Sequence, residues 1–166
     1  MSQPASLTRL LWTQWVLYAL GLLTTVLTWA REDDLVRAWA EGRADLRRTL
    51  ATGGLEAIRS GGIAPPAFVP VAVVLFVVLA SLVWVLLAFV RVGYGWARLT
   101  ITGVLVFMAV ATVAGIRTSP PSLFVALAAV SFLVELVMLA FLWHRDTSAH
   151  VRGTWQPSGA DAPTTV

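Results

Sequence analysis

Glu135 stands alone in the apolar run SFLVELVMLAF, the one acidic residue between Pro121 and Trp143. A carboxylate placed in hydrocarbon costs a few kcal/mol to insert. It must therefore be protonated, paired, or turned toward a polar cavity. Read functionally, it is a proton or cation site. Read structurally, it ties helices together through interhelical hydrogen bonds worth roughly 0.6 to 2 kcal/mol each.

Depth suggests its partners. Glu135 lies eight residues before Trp143, about 12 Å along a helix. At that depth the first apolar segment, which begins on the same side, offers Tyr18, with Gln14 one turn earlier. Gln14, Tyr18, Gly21, Thr25 and Thr28 are spaced by four, three, four and three residues, so they fall on one polar, small-residue stripe. That stripe is either a packing seam or the wall of a hydrophilic path. The expectation is that Glu135 is largely protonated, points at this stripe, and donates to Tyr18 or Gln14 while still accepting a bond.

Arg98 is a further candidate partner, entering the third apolar segment just after Trp96. Its side chain can reach inward to Glu135 or snorkel to the headgroups. Arg91 and Arg98 flank the turn VGYG, and with Arg145 they are candidate contacts for anionic lipid.

Much other chemistry is excluded. Cysteine is absent, which removes disulfides, thiol nucleophiles, iron–sulfur clusters and cysteine-based zinc sites. His144 and His150 lie at or beyond the last apolar segment, so neither can hold haem between spans, and with Asp146 they do not make a helix-face metal triad. No nucleophile with an orienting base, phosphate loop or carboxylate pair is present. The sequence thus predicts no catalytic, cofactor or metal site.

These residues are carried by an unusual composition: 58% hydrophobic and 13% charged, where a soluble domain carries about 25% charged residues. Four blocks have the roughly 20 apolar residues that a helix needs to cross a bilayer. They predict spans at 10–29, 67–90, 96–116 and 122–143, preceded by a short segment 1–9. The predicted fold is all-α, a four-helix transmembrane bundle occupying 10–143. Pro70 sits in a first helical turn and Pro120 and Pro121 precede another, where a missing N–H costs little. Trp12, Trp29, Trp96 and Trp143 mark span ends, where indoles favour the headgroup zone, whereas Trp84 is deeper and is expected to pack.

The stretch between the first two spans has soluble-like composition. Leu35, Trp39, Leu46 and Leu50 recur near helical spacing, acids cluster at Asp33 and Asp34, and Gly53 and Gly54 follow. This predicts an amphipathic surface helix over 33–51, with a short turn from Leu55 to Arg59. The tail, 144–166, holds too little apolar material to fold alone and is expected to be disordered.

All twelve basic residues are arginines. They flank apolar blocks, so they bear on topology and lipid contact, and no nucleic-acid partner is expected. By count the long loop, with six arginines, is favoured inside. Arg9, Arg91, Arg98 and Arg145, which hug span ends, favour both termini in the cytoplasm, and that orientation is adopted.

GYGWARL at the connector between the second and third spans, with the long loop before it and the arginine-bearing tail, resembles small four-span membrane proteins of actinobacteria. The resemblance implies a bacterial inner-membrane location and the four-span fold, and transfers no activity. Small multidrug exporters offer a second comparison, being four-helix bundles with an essential carboxylate. Theirs lies in the first span and their loops are short, whereas Glu135 is in the fourth and the first loop is long. The leading expectation is a non-enzymatic accessory or scaffolding subunit of an envelope assembly, partnered by lipid and by a larger membrane protein or a second copy. The alternative is a small proton-coupled transporter or channel using Glu135.

Overall fold

The computed structural model describes residues 5–153, and among these the regular secondary structure is all helix, with no strand. The helices are α1 (Ala5–Ala30), α2 (Glu32–Glu41), α3 (Ala44–Arg59), α4 (Phe68–Val92), α5 (Gly95–Ile116), α6 (Ser122–Leu142) and α7 (Arg145–Val151). Four of them, α1, α4, α5 and α6, are long and apolar enough to cross a membrane, by length and composition. Their bounds fall within a few residues of the predicted spans. The largest shift is at α1, which starts within the stretch assigned to the short N-terminal segment.

Helix ends follow local chemistry. Pro121 precedes α6 in an extended conformation (φ −51°, ψ 143°), so the helix starts where proline's fixed φ allows it. Gly93 ends α4 in the left-handed region at φ 103°, donating its N–H to Phe89 O and Val90 O. A residue with Cβ would be strained there.

Neighbouring long helices pack in a ring: α1 against α4, α4 against α5, α5 against α6, and α6 back against α1, the most extensive pair. The core occupies only one half of this ring. Leu7 and Leu10 of α1, Val90 of α4, Ile101 of α5, and Met138 and Leu142 of α6 are buried there, on the side of the first residues of α1. Beyond Leu17, Val83, Leu105 and Glu135, Thr28 is the one further buried residue of the four long helices. The ring is therefore closed at one end and parted at the other.

The single loop helix expected over 33–51 is broken at Gly42 and Arg43, where Arg43 is extended (φ −116°, ψ 123°), and the break expected at Gly53 and Gly54 falls within α3 at Gly54 (φ 66°, ψ −162°). Arg47 Nε donates to the Glu41 carbonyl across the first break, at 3.2 Å. Folding back is favoured because a lone amphipathic helix would leave its stripe uncovered, whereas the pair buries Val36 and Ala40 against Leu46 and Ile58. Trp39 and Leu50 pack at the edge of this cluster, as does Phe68 from the start of α4. Arg59 pairs with Asp33 across the two helices.

The tail also departs from expectation. Residues 145–151 form α7, which folds back on the closed end, while 154–166 lie outside the described residues. Thr147 is fully buried; its hydroxyl lies 3.0 Å from the Phe141 carbonyl and 2.9 Å from Ser6 Oγ. Donating to the carbonyl, it accepts from Ser6. His150 Nε2 lies 3.1 Å from the Arg91 carbonyl, and Val151 packs against the core. The segment is too poor in apolar residues to fold alone, and α7 is held by polar groups that the bundle supplies.

Candidate functional site

The parted half of the ring encloses a cavity of about 710 Å³. Its floor is Gln14, Leu17, Val83 and Glu135, the level at which the core ends. From there it extends past Tyr18, Gly21 and Thr25 of α1 and Phe76 of α4 to Thr28, Leu35, Phe68 and Pro120, on the side of α2 and α3. Its walls are mostly aliphatic and aromatic, with polar groups along α1, at Thr112 of α5 and Thr118 just beyond it, and at Ser131 and Glu135 of α6.

Glu135 is 3% exposed and Gln14 2% exposed, so both face into the bundle. The expectation that Glu135 turns toward the α1 stripe agrees with this placement. The expected hydrogen bonds do not form. Glu135 Oε2 and both polar atoms of the Gln14 amide are buried without a hydrogen-bond partner. The Tyr18 hydroxyl instead donates to the Ala80 carbonyl of α4, at 2.7 Å. A helix carbonyl is already engaged along its own axis, and Tyr18 reaches its second lone pair, which residue type and spacing do not reveal.

Within the stripe, the Thr25 and Thr28 hydroxyls donate to Gly21 O and Thr24 O, at 2.8 and 2.9 Å. Their hydrogens are spent on the helix backbone, leaving the oxygens as acceptors toward the cavity. Gly21 sits where a Cβ would come within 3.0 Å of the Phe76 ring. The lack of a side chain at Gly21 is what lets Phe76 lie against α1.

Arg98 is not the partner of Glu135. Its guanidinium lies 3.8 Å from the Trp143 ring centroid and donates from Nη1 to Ser148 Oγ at 3.0 Å. Trp143 Nε1 donates in turn to Thr102 Oγ1, at 3.0 Å. A cation over an indole face is stabilised by the ring quadrupole, so Arg98 joins α5 to α6 and α7 at the closed end. Of the three arginines expected at lipid headgroups, Arg91 and Arg145 are exposed while Arg98 is half-buried in this cluster.

Trp29, Trp96 and Trp143 are exposed at or beside helix ends, whereas Trp12, also exposed, lies two turns inside α1 because that helix starts earlier than the predicted span. Trp84, expected to pack inside, is 53% exposed and meets Trp15 edge to face at 5.7 Å between centroids. An indole can lie on the outside of an apolar helix, where lipid in place of water would surround it, so depth in a span does not imply burial in the bundle.

Leu35 and Phe68 were not singled out as site residues, yet they stand at the mouth. The hydrophobic stripe that marks Leu35 as apolar does not tell a core from a cavity. Comparison of the chain with protein-family models, with curated proteins and with solved structures finds no match.

Proposed function

We propose that this chain is a small, non-enzymatic, proton-coupled transporter that takes an apolar organic compound into the cavity and exchanges a proton at Glu135. The observation that carries the reading is the pairing of a drug-sized apolar cavity with two buried and unpartnered polar side chains at its floor. Leaving such groups unsatisfied costs about 1–3 kcal/mol each. A carboxyl group that gains a partner only when substrate arrives is suited to coupling substrate to proton.

A scaffolding or accessory role, alone or with a larger membrane partner, uses the same frame and gives these two groups no task. It stands second. Likeness to actinobacterial four-span proteins and the arginines near span ends support a bacterial inner membrane with both termini in the cytoplasm. In that orientation the cavity mouth faces outward, and α2 and α3, with charged outer faces, lie at the membrane surface beside it.

The test is flux in proteoliposomes carrying an entrapped pH dye. Permanently charged, neutral and anionic lipophilic compounds are added in turn across an imposed pH gradient. At least one class should evoke protein-dependent proton movement that Glu135→Gln abolishes without loss of folding. Proton movement no greater than in protein-free liposomes for every class would refute transport.

A further inference from the structure

Along α1 the cavity's polar groups are weighted toward acceptors, with donors kept by the Gln14 amide and by the hydroxyls of Thr112 on α5 and Ser131 on α6, and this bears on what it accepts. No lysine, arginine or histidine contributes to its wall, while Glu135 contributes a carboxyl group. The hydroxyl hydrogens of Tyr18, Thr24, Thr25 and Thr28 are committed to the carbonyls of Ala80, Leu20, Gly21 and Thr24. Each of these side chains therefore presents an acceptor oxygen to a ligand. At the floor, Glu135 Oε2 and Gln14 Oε1 are buried acceptors with no donor among the described residues. Gln14 Nε2 is the donor of the same amide, on the Tyr18 side of the floor. Once Glu135 ionises, an anionic head would meet a like charge with no cation on the wall to offset it, whereas a cation would meet acceptors at the floor and along α1.

Shape narrows the class further. From Gln14 to Thr28 the cavity follows α1 for fourteen residues, about 21 Å at helical rise. Beyond the floor it is walled chiefly by apolar side chains of α4 and α6, such as Leu75, Phe76, Leu79 and Phe124. This suits an elongated molecule with one polar end.

We propose that the cavity binds an ammonium-headed amphiphile, head first, with the cation between Glu135 and Gln14 and the tail directed toward Leu35 and Phe68. The proposal rests on reading the cavity as a substrate site, as above. Glu135 holds its carboxyl proton while the cavity lacks a cation and releases it as the ammonium arrives; the carboxylate then accepts an N–H from the ammonium. One cation enters and one proton leaves, so the charge buried at the floor is zero before and after. Tyr18 is the other titratable side chain on the wall; α2, α4 and α5 bring none. With one proton released per cation bound, affinity rises with pH, by up to about tenfold per unit.

The experiment uses the full chain in nanodiscs of neutral phosphatidylcholine, which removes attraction to anionic lipid. Saturable binding of radiolabelled tetradecylamine is measured by scintillation proximity, with competition by unlabelled tetradecylamine, tetradecanol and myristate. The amine should compete at least tenfold better than the alcohol, and the alcohol better than the carboxylate. Glu135→Gln should lower amine affinity at least tenfold and remove its pH dependence. Labelled tetradecanol should bind the variant as it binds the native chain, showing that the cavity is intact. Equal competition by all three compounds, or stronger competition by myristate, would overturn the proposal, as would unchanged amine affinity in Glu135→Gln. If amine binding behaves as expected and tetradecyltrimethylammonium, which cannot cross as a free base and offers charge without an N–H, competes for the same site yet evokes no proton flux in proteoliposomes, the ligand class stands and transport fails.

Discussion

Gln14 illustrates how a single residue can act against stability. Its amide is 2% exposed with neither polar atom bonded, and an unsatisfied buried polar group is penalised by about 1–3 kcal/mol. Leucine has similar volume and no such penalty. Gln14→Leu should therefore raise the thermal stability of the purified protein, read by fluorescence-detected unfolding, by the equivalent of about 1 kcal/mol. It should also weaken amine binding severalfold. A variant that is less stable would show that the amide is satisfied in the membrane and belongs to the packing. Glu135 resists the same logic, because glutamine retains its shape and hydrogen-bonding capacity and removes only the ability to release a proton.

At the scale of elements, the two additions to the four long helices are held by different forces. The α2–α3 pair is held by apolar burial centred on Val36 and Ile58, at 2% and 1% exposure. Removing the larger side chain opens a void in a small cluster, so Ile58→Ala should cost about 2 kcal/mol, the low end for such truncations. The cost should appear as faster proteolysis between residues 42 and 62, with the four long helices unchanged by circular dichroism. Protection equal to that of the native chain would mean that the pair is stabilised by something other than this cluster. For α7 the anchor is polar. Thr147→Val keeps the shape and strands the buried Ser6 hydroxyl, while the Phe141 carbonyl keeps the His144 N–H, at an expected cost of about 1–3 kcal/mol. Hydrogen exchange in 145–151 should rise at least tenfold; exchange no faster than in the native chain would indicate that Val151 and His150 suffice to hold the helix.

For the whole molecule, the division into a closed half and a parted half gives orientation a functional meaning. If both termini are cytoplasmic, the cavity opens to the outside and Arg98, Trp143 and α7 seal the inside. The chain has no cysteine, so single cysteines report sidedness directly. Ser60→Cys should react with an impermeant thiol reagent in intact cells, and Ser158→Cys only after the membrane is permeabilised. The opposite pattern would turn the cavity mouth to the cytoplasm and reverse the direction from which substrate enters.

The number of long helices and their bounds were legible in the sequence, because crossing length and apolar composition are properties of contiguous residues. So was the singularity of Glu135, since one carboxyl group in an apolar run is conspicuous without any fold. The facing of Glu135 toward α1 followed from depth and helical spacing, which need only the ring's antiparallel order. What the tertiary structure decided was the use of those faces. Apolar residues in a span serve equally for core, cavity wall or lipid contact, so periodicity could not reveal that packing stops at Leu17 and Glu135. Nor could it place Tyr18 on the Ala80 carbonyl, Arg98 on Trp143, or α7 against Ser6. Each of those contacts joins elements far apart in the chain, and distant partners are selected by how helices pack.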